Sequence, residues 1–219
     1  RVTTEDFQSF TAIQEEILEL FDGLLPLFNH IDLILDNKLC LGIDVINTAN
    51  QIAKFSECFS KLYPVRKIII TGSSIPPSLT EVCPTNDYKV ITRNELLIYD
   101  MVKQETSLDV SLGDYTTVSP LYAEPNEMAK MNGASKLIYA DDKEQHIWRG
   151  GSVRMVGAQQ YNEHIYALIK MPIYRGPTYS CADKQFYDTK NNTSGYWTSS
   201  IINPLINAHI SYMVKTHSH

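Results

Sequence analysis

Three short apolar runs, His30–Asp36, Arg66–Thr71 and Leu108–Leu112, recur at intervals of roughly 35 residues, and each alternates with a stretch of helical periodicity. A strand cannot return parallel to its neighbour without a crossover, and an amphipathic helix of this length supplies one, so the alternation predicts βα units on a parallel sheet. The regular spacing leans toward a barrel-type arrangement, of which these units account for about half. The fold class expected is therefore α/β, with a partial or complete βα-barrel-like core over residues 1–120.

The helices follow from apolar spacing. Phe7, Phe10, Ile13, Ile17, Leu20 and Phe21 predict a helix over 4–22, with Thr4, Glu5 and Asp6 suited to its N-terminus. Ile46, Ala49, Ile52, Ala53, Phe55, Cys58, Phe59 and Leu62 predict another over 45–62, stopped by Pro64. A third is expected over 92–104, with Thr92 as cap and Glu95 at capping-box distance. Beyond residue 120 the character changes. Ser135–Ala140 and Gln145–Trp148 flank the polar turn Asp141–Glu144 and read as an antiparallel hairpin, followed by a helix over 157–170, a polar aromatic stretch over 174–196 and a closing segment over 197–214. No repeat or low-complexity linker interrupts residues 1–219, so a single compact unit is expected, with an antiparallel hairpin and a C-terminal α+β addition.

Composition narrows the classes of function. Twenty-five acidic against 19 basic residues give a net charge of -6 and a pI near 5.5, which argues against a broad nucleic-acid surface while leaving room for a local basic pocket. No run reaches the ~20 apolar residues that span a bilayer, and the first ten residues lack the order of a signal peptide, so a cytoplasmic protein without a membrane partner is expected. Cys40, Cys58, Cys83 and Cys181 are too scattered for a metal clip or a disulfide framework and are expected to be reduced and mostly buried.

Several residues carry candidate chemistry. Asp36, Asp109, Asp114, Asp141 and Asp142 lie at or beyond strand ends, where ligands bind in parallel α/β folds; capping of a turn or helix is the alternative for each. Thr71–Ser74 could cradle a phosphate, although it matches no nucleotide-binding glycine motif. Arg149 and Arg154 bracket a flexible Gly-Gly-Ser-Val stretch and Arg175 lies close to a turn, so together they could grip an anion, structural ion pairing being the alternative, including a buried pair between Asp114 and Arg149. His146, His164 and His209 have no metal-site spacing, so no metal is expected, and no hydrolase or kinase signature is present.

Ser74–Ser78, Ile91–Glu95, Gly113–Tyr115 with Pro120, Leu137–Tyr139, Ile147–Gly150, Tyr174–Gly176 with Tyr179, Ser180 and Asp183, and Trp197 followed by Asn207–Ile210 form an ordered set. In that order and spacing, over roughly residues 31 to 214, the chain resembles the beta family of bacterial and bacteriophage proteins. The resemblance implies a TIM-barrel-like fold in a longer protein. The family's opening strand motif is missing here, so the chain is expected to be the C-terminal part of such a protein or a shortened member. Ile75 stands where the family has an aromatic residue, Ala182 where it has glycine, and Ala208 with His209 where it has paired histidines. The family's setting implies a part in phage-host conflict, including antiphage defence, and no particular enzymatic activity.

Two functions follow as expectations. One is a phage- or mobile-element-associated binding module for a protein partner, which includes self-association, or for a small anionic ligand, with Tyr115, Trp148, Arg149, Arg175, Asp183 and Trp197 as ligand-binding residues. The other is an enzyme acting on a phosphorylated or nucleotide-like substrate, with Asp36, Asp114 and His209 as catalytic candidates and Arg149 and Arg175 as anion clamps. A further expectation is that another chain completes half of a barrel. Cofactor identity and enzymatic status stay open at the level of sequence.

Overall fold

The computed structural model describes residues 2–3, 19, 22–23, 27–121, 133–189 and 197–217. Most of the helix expected over 4–22 lies outside the described residues. The chain forms two compact units, Arg1–Ser74 with Arg93–Tyr115, and Ile75–Thr92 with Thr116–His219.

The first unit holds β1 (Val2–Thr3), β2 (Ile31–Leu39), α1 (Val45–Leu62), β3 (Val65–Ser73), α2 (Asn94–Glu105) and β5 (Val110–Asp114). Its four strands are parallel in the order β1-β2-β3-β5. Among the described residues this sheet is open. The closed barrel allowed by the spacing is thus not formed by them, because β1 and β5 stand at opposite edges. Asp44 caps α1, its carboxylate accepting from the Asn47 amide at 3.0 Å, and Pro64 follows the C-cap residue Tyr63. The apolar stripe of α1 then buries Ala49, Ile52, Phe55 and Phe59 against Leu33, Leu35, Ile68 and Ile70 of the sheet and Ile98 and Val102 of α2.

The capping box expected from Thr92 and Glu95 does not form. Thr92 ends a strand, and Arg93 is the N-cap residue without a side-chain cap bond. The Asn94 amide instead finds the Ser74 hydroxyl at 3.0 Å, and Glu95 turns to Arg93.

The second unit holds β4 (Asp87–Thr92), β6 (Ala134–Ala140), β7 (Glu144–Ser152), the single turn α3 (Val153–Val156), α4 (Gln159–Leu168), α5 (Cys181–Thr189) and α6 (Ile202–His217). The hairpin is present as read, and β4, absent from the sequence reading, adds on its far side to give the antiparallel order β4-β7-β6. Strand alternation divides this sheet's side chains between two cores. Leu137, Tyr139 and Trp148 face α4, α5 and α6, packing on Ile165, Phe186 and Leu205. Ile138 and Ile147 face the other way, onto Ile75, Leu79 and Cys83. The four cysteines are free, but only Cys40 and Cys83 are buried; Cys58 and Cys181 are exposed.

His164 of α4 meets the buried Ser135 hydroxyl at 3.1 Å, and burial lowers its pKa from 6.5 to about 4. The native state therefore resists a proton that the unfolded chain accepts. His164 contributes no penalty above pH 6.5, and stability is lost as pH falls from 6.5 toward 4. Thermal melts of wild type and His164→Asn at pH 7 and pH 4.5 are expected to show a smaller acid-induced drop in the variant; equal drops would mean that the imidazole is not the group responsible.

Candidate functional site

At the C-terminal edge of the first unit's parallel sheet, β2 carries an irregularity after Asp36, with Lys38 at φ 51. Such a bulge re-aims side chains. The Asp36 carboxylate, fully buried, accepts from the Lys38 amide at 2.9 Å and from the Tyr115 hydroxyl at 2.7 Å. Arg93 is fully buried too. Its Nε donates to Glu95 at 2.9 Å and its Nη2 to Asp114 at 3.3 Å, while the second Glu95 oxygen accepts from the Ser74 hydroxyl at 2.6 Å. Gly72 makes room for this edge, since a Cβ there would stand 2.5 Å from the Cys40 sulfur. Burial, with Glu95 nearby, pushes the Cys40 thiol up to about 12, so it is no nucleophile at neutral pH. Asn37 is the exception to this saturation: both polar atoms of its amide are buried without a hydrogen-bond partner among the described residues. An amide left in that state costs about 1–3 kcal/mol, and native folds keep such groups for water or a ligand.

In the second unit most of the expected site residues are held by their own fold, while the buried Gln145 amide and Ser152 hydroxyl have no hydrogen-bond partner among the described residues. Asp183, at the start of α5, accepts from the Tyr139 hydroxyl at 2.7 Å and the Ser180 hydroxyl at 2.5 Å, while its amide donates to Ser180 and its carbonyl accepts from Tyr174. Burial pushes the Tyr139 phenol up, which keeps it a donor. Arg175 donates to the Ala140 carbonyl, with its guanidinium carbon 4.4 Å from the Tyr139 ring centroid, 3.8 Å from that of Tyr212 and 5.4 Å from that of Tyr179. These contacts hold the arginine to its own fold. Trp148 is buried against Tyr88 at 4.8 Å between centroids, Trp197 donates its indole N–H to Thr189 at 2.8 Å, and His209 is buried on α6.

Two cations, the exposed Lys136 and the half-buried Arg149, lie on the opposite face of the hairpin. Lys136 and Arg149 are directly paired across β6 and β7, and both line a cavity of about 290 Å3. Like charges facing each other across a ladder are destabilising. Lys136 has no ion pair or hydrogen bond among the described residues, and Arg149 is held by a single nitrogen, Nη1, which donates to the Cys83 carbonyl at 3.2 Å and Thr85 at 2.9 Å. The acid opposite Arg149 on β4, Asp87, is drawn away to Lys89 at 3.1 Å. Hydroxyls of Ser78, Thr80, Thr117 and Ser119 and the apolar Ile75, Leu79 and Ile138 complete the walls. A second cavity, lined by Tyr166, Ile169, Lys170, Tyr174 and Tyr187, lies over α4 and α5; burial pushes the Tyr174 phenol there up to about 12.

For a metal ion, the described residues offer Asp141, Glu144 and His146 at the hairpin turn, with ligand atoms within 4.8 Å of one another. Asp141 is also the turn's own acceptor, taking the amides of Lys143 and Glu144, and the His146 Nδ1 meets the Tyr88 hydroxyl at 2.6 Å.

The residues expected to act together are thus distributed. Asp36, Asp114 and Tyr115 belong to the first unit, and Trp148, Arg149, Arg175, Asp183, Trp197 and His209 to the second. Asp114 pairs with Arg93, and Arg149 with Cys83 and Thr85. Sequence reasoning missed Arg93, Asn37 and Lys136. Counting rungs outward from the Asp141–Glu144 turn would have placed Lys136 opposite Arg149. Nothing local marks Arg93 or Asn37.

A family model described as Beta protein matches residues 1–215. No curated protein matches the chain. No solved structure matches it either.

Arg93→Met is expected to cost about 3–5 kcal/mol in urea unfolding, because it leaves two carboxylates at the sheet edge without their cation. A loss below ~1 kcal/mol would show that Glu95 and Asp114 do not depend on the guanidinium.

Proposed function

The chain belongs to the Beta protein family, and from that premise we propose that it is a binding module for a small anionic ligand, acting in the phage-associated setting the family suggests. The observation that carries this reading is the Lys136–Arg149 rung: two cations paired across a ladder, without an acid between them, on the wall of a cavity edged by hydroxyls. A structural arginine has its guanidinium covered by its own fold, as Arg175 has, lying over tyrosine rings and donating to the Ala140 carbonyl. Arg149 keeps Nη2 and Nε for a ligand, and its Nη1 contacts fix the direction in which they point. Of the ligand-binding residues expected from sequence, Arg149 takes the central role here, and Lys136 joins it. The protein-partner form of the hypothesis has no comparable feature in its favour.

A second reading, an enzyme acting on a phosphorylated or nucleotide-like substrate at the parallel-sheet edge, is favoured by one observation, the unpartnered Asn37 amide next to Gly72 and Glu95. Asp36, held by Tyr115, would be its acid or base. The anion-binding reading is preferred because it needs no rearrangement of a saturated network.

Titration calorimetry with inorganic phosphate tests the preferred reading. Lys136→Ala and Arg149→Ala are each expected to weaken binding roughly ten- to hundredfold, the worth of a charge-assisted hydrogen bond. Unchanged affinity in both variants would end it. The pH profile has a definite sign. Desolvation holds the Lys136 ammonium below its ordinary value of 10.5. Affinity should therefore fall as pH rises through that lowered value. An affinity flat to beyond pH 10.5 would remove Lys136 from the site.

A further inference from the structure

We infer that the cavity at the Lys136–Arg149 rung takes a phosphate monoester of an aliphatic alcohol, in preference to a nucleotide or a carboxylate. This rests on the anion-binding reading and specifies its ligand. Three features of the cavity carry it.

The first is charge. One guanidinium edge satisfies a planar carboxylate with two parallel hydrogen bonds, so a carboxylate would leave Lys136 unneutralised. A phosphate monoester carries about -1.5 to -2 at neutral pH and has three terminal oxygens arranged as a tripod. That matches two cations approaching from separate strands, with Cβ atoms opposite each other about 5 Å apart.

The second is the rim. Ser78 and Thr80 already share a hydrogen bond of 2.6 Å, and the Thr80 amide bonds Ser78, so the pair presents an ordered hydroxyl edge at a short 3-10 turn. Thr117 and Ser119 offer two more hydroxyls from another segment. Such neutral donors suit the remaining phosphate oxygens without adding charge.

The third is the apolar remainder. Ile75, Pro77, Leu79 and Ile138 line the cavity, and no aromatic side chain does so among the described residues. Nucleobase sites rely on stacking against rings, and this wall has only aliphatic surface. A volume near 290 Å3 also limits the occupant to a small molecule.

The experiment is calorimetry of the full chain with inorganic phosphate, methyl phosphate, butyl phosphate, butyrate and adenosine monophosphate. Each buried methylene is worth about fourfold in affinity, so butyl phosphate should bind at least about tenfold tighter than methyl phosphate. Adenosine monophosphate should bind no tighter than methyl phosphate, and butyrate at least about tenfold weaker than butyl phosphate. Replacing Leu79 with Ala should shrink the butyl-to-methyl ratio. Tightest binding by adenosine monophosphate, or butyrate equal to butyl phosphate, overturns the inference and leaves the anion site standing. Inorganic phosphate binding that ignores both Lys136→Ala and Arg149→Ala overturns the site and this inference with it.

Discussion

The buried Arg93 guanidinium is the charge around which the first unit's sheet edge is organised. Taking an arginine wholly out of water costs several kcal/mol unless its partners are ionised and well placed. Here Glu95 and Asp114 meet that condition, one from the first turn of α2 and one from the end of β5. The pairing joins the helix start to the last strand of the sheet, and it frees Ser74 to bond both Glu95 and the Asn94 amide. Glu95 is thereby lost to capping. Asp36 completes the edge independently, through Tyr115 and the bulge at Lys38.

Much of the fold was legible because its signals are local. The 45–62 periodicity ends at Pro64 and begins after an Asp, and α1 spans Val45–Leu62. The 135–148 alternation around a polar turn became β6 and β7. Failures occurred where a tertiary partner overrode a local rule. Thr92 and Glu95 have capping-box spacing, but Arg93 and Ser74 compete for the same groups and win by charge. β4 escaped because its pattern is half exposed, with Val90 on the surface, so alternation carries little contrast. α5 escaped because it is short and polar, with Ala182 and Phe186 its only buried apolar residues.

Site residues divide in the same way. Asp36 and Asp114 stand out in the sequence by their place at strand ends, and the fold gathers them with Tyr115, from the turn that follows, at one edge. Arg175, Asp183 and Trp197 were chosen for chemistry, and the fold gives each of them intramolecular partners. Composition cannot distinguish these outcomes, because a glycine-flanked arginine serves equally to bind an anion or to pin a hairpin. Only the partner inventory separates them.

By that inventory Lys136 and Arg175 are opposites. Arg175 lies over tyrosine rings and donates to a backbone carbonyl, so its burial strengthens the hairpin. Lys136 is more exposed, yet its surroundings still disfavour its charged form, and its cross-strand neighbour is another cation. An acid at 136 would stand opposite Arg149 as an ion pair; a lysine there sets a second cation on the same rung. An anion in the cavity that both side chains line would neutralise Lys136 and Arg149 together, which is what the proposed function asks of this rung.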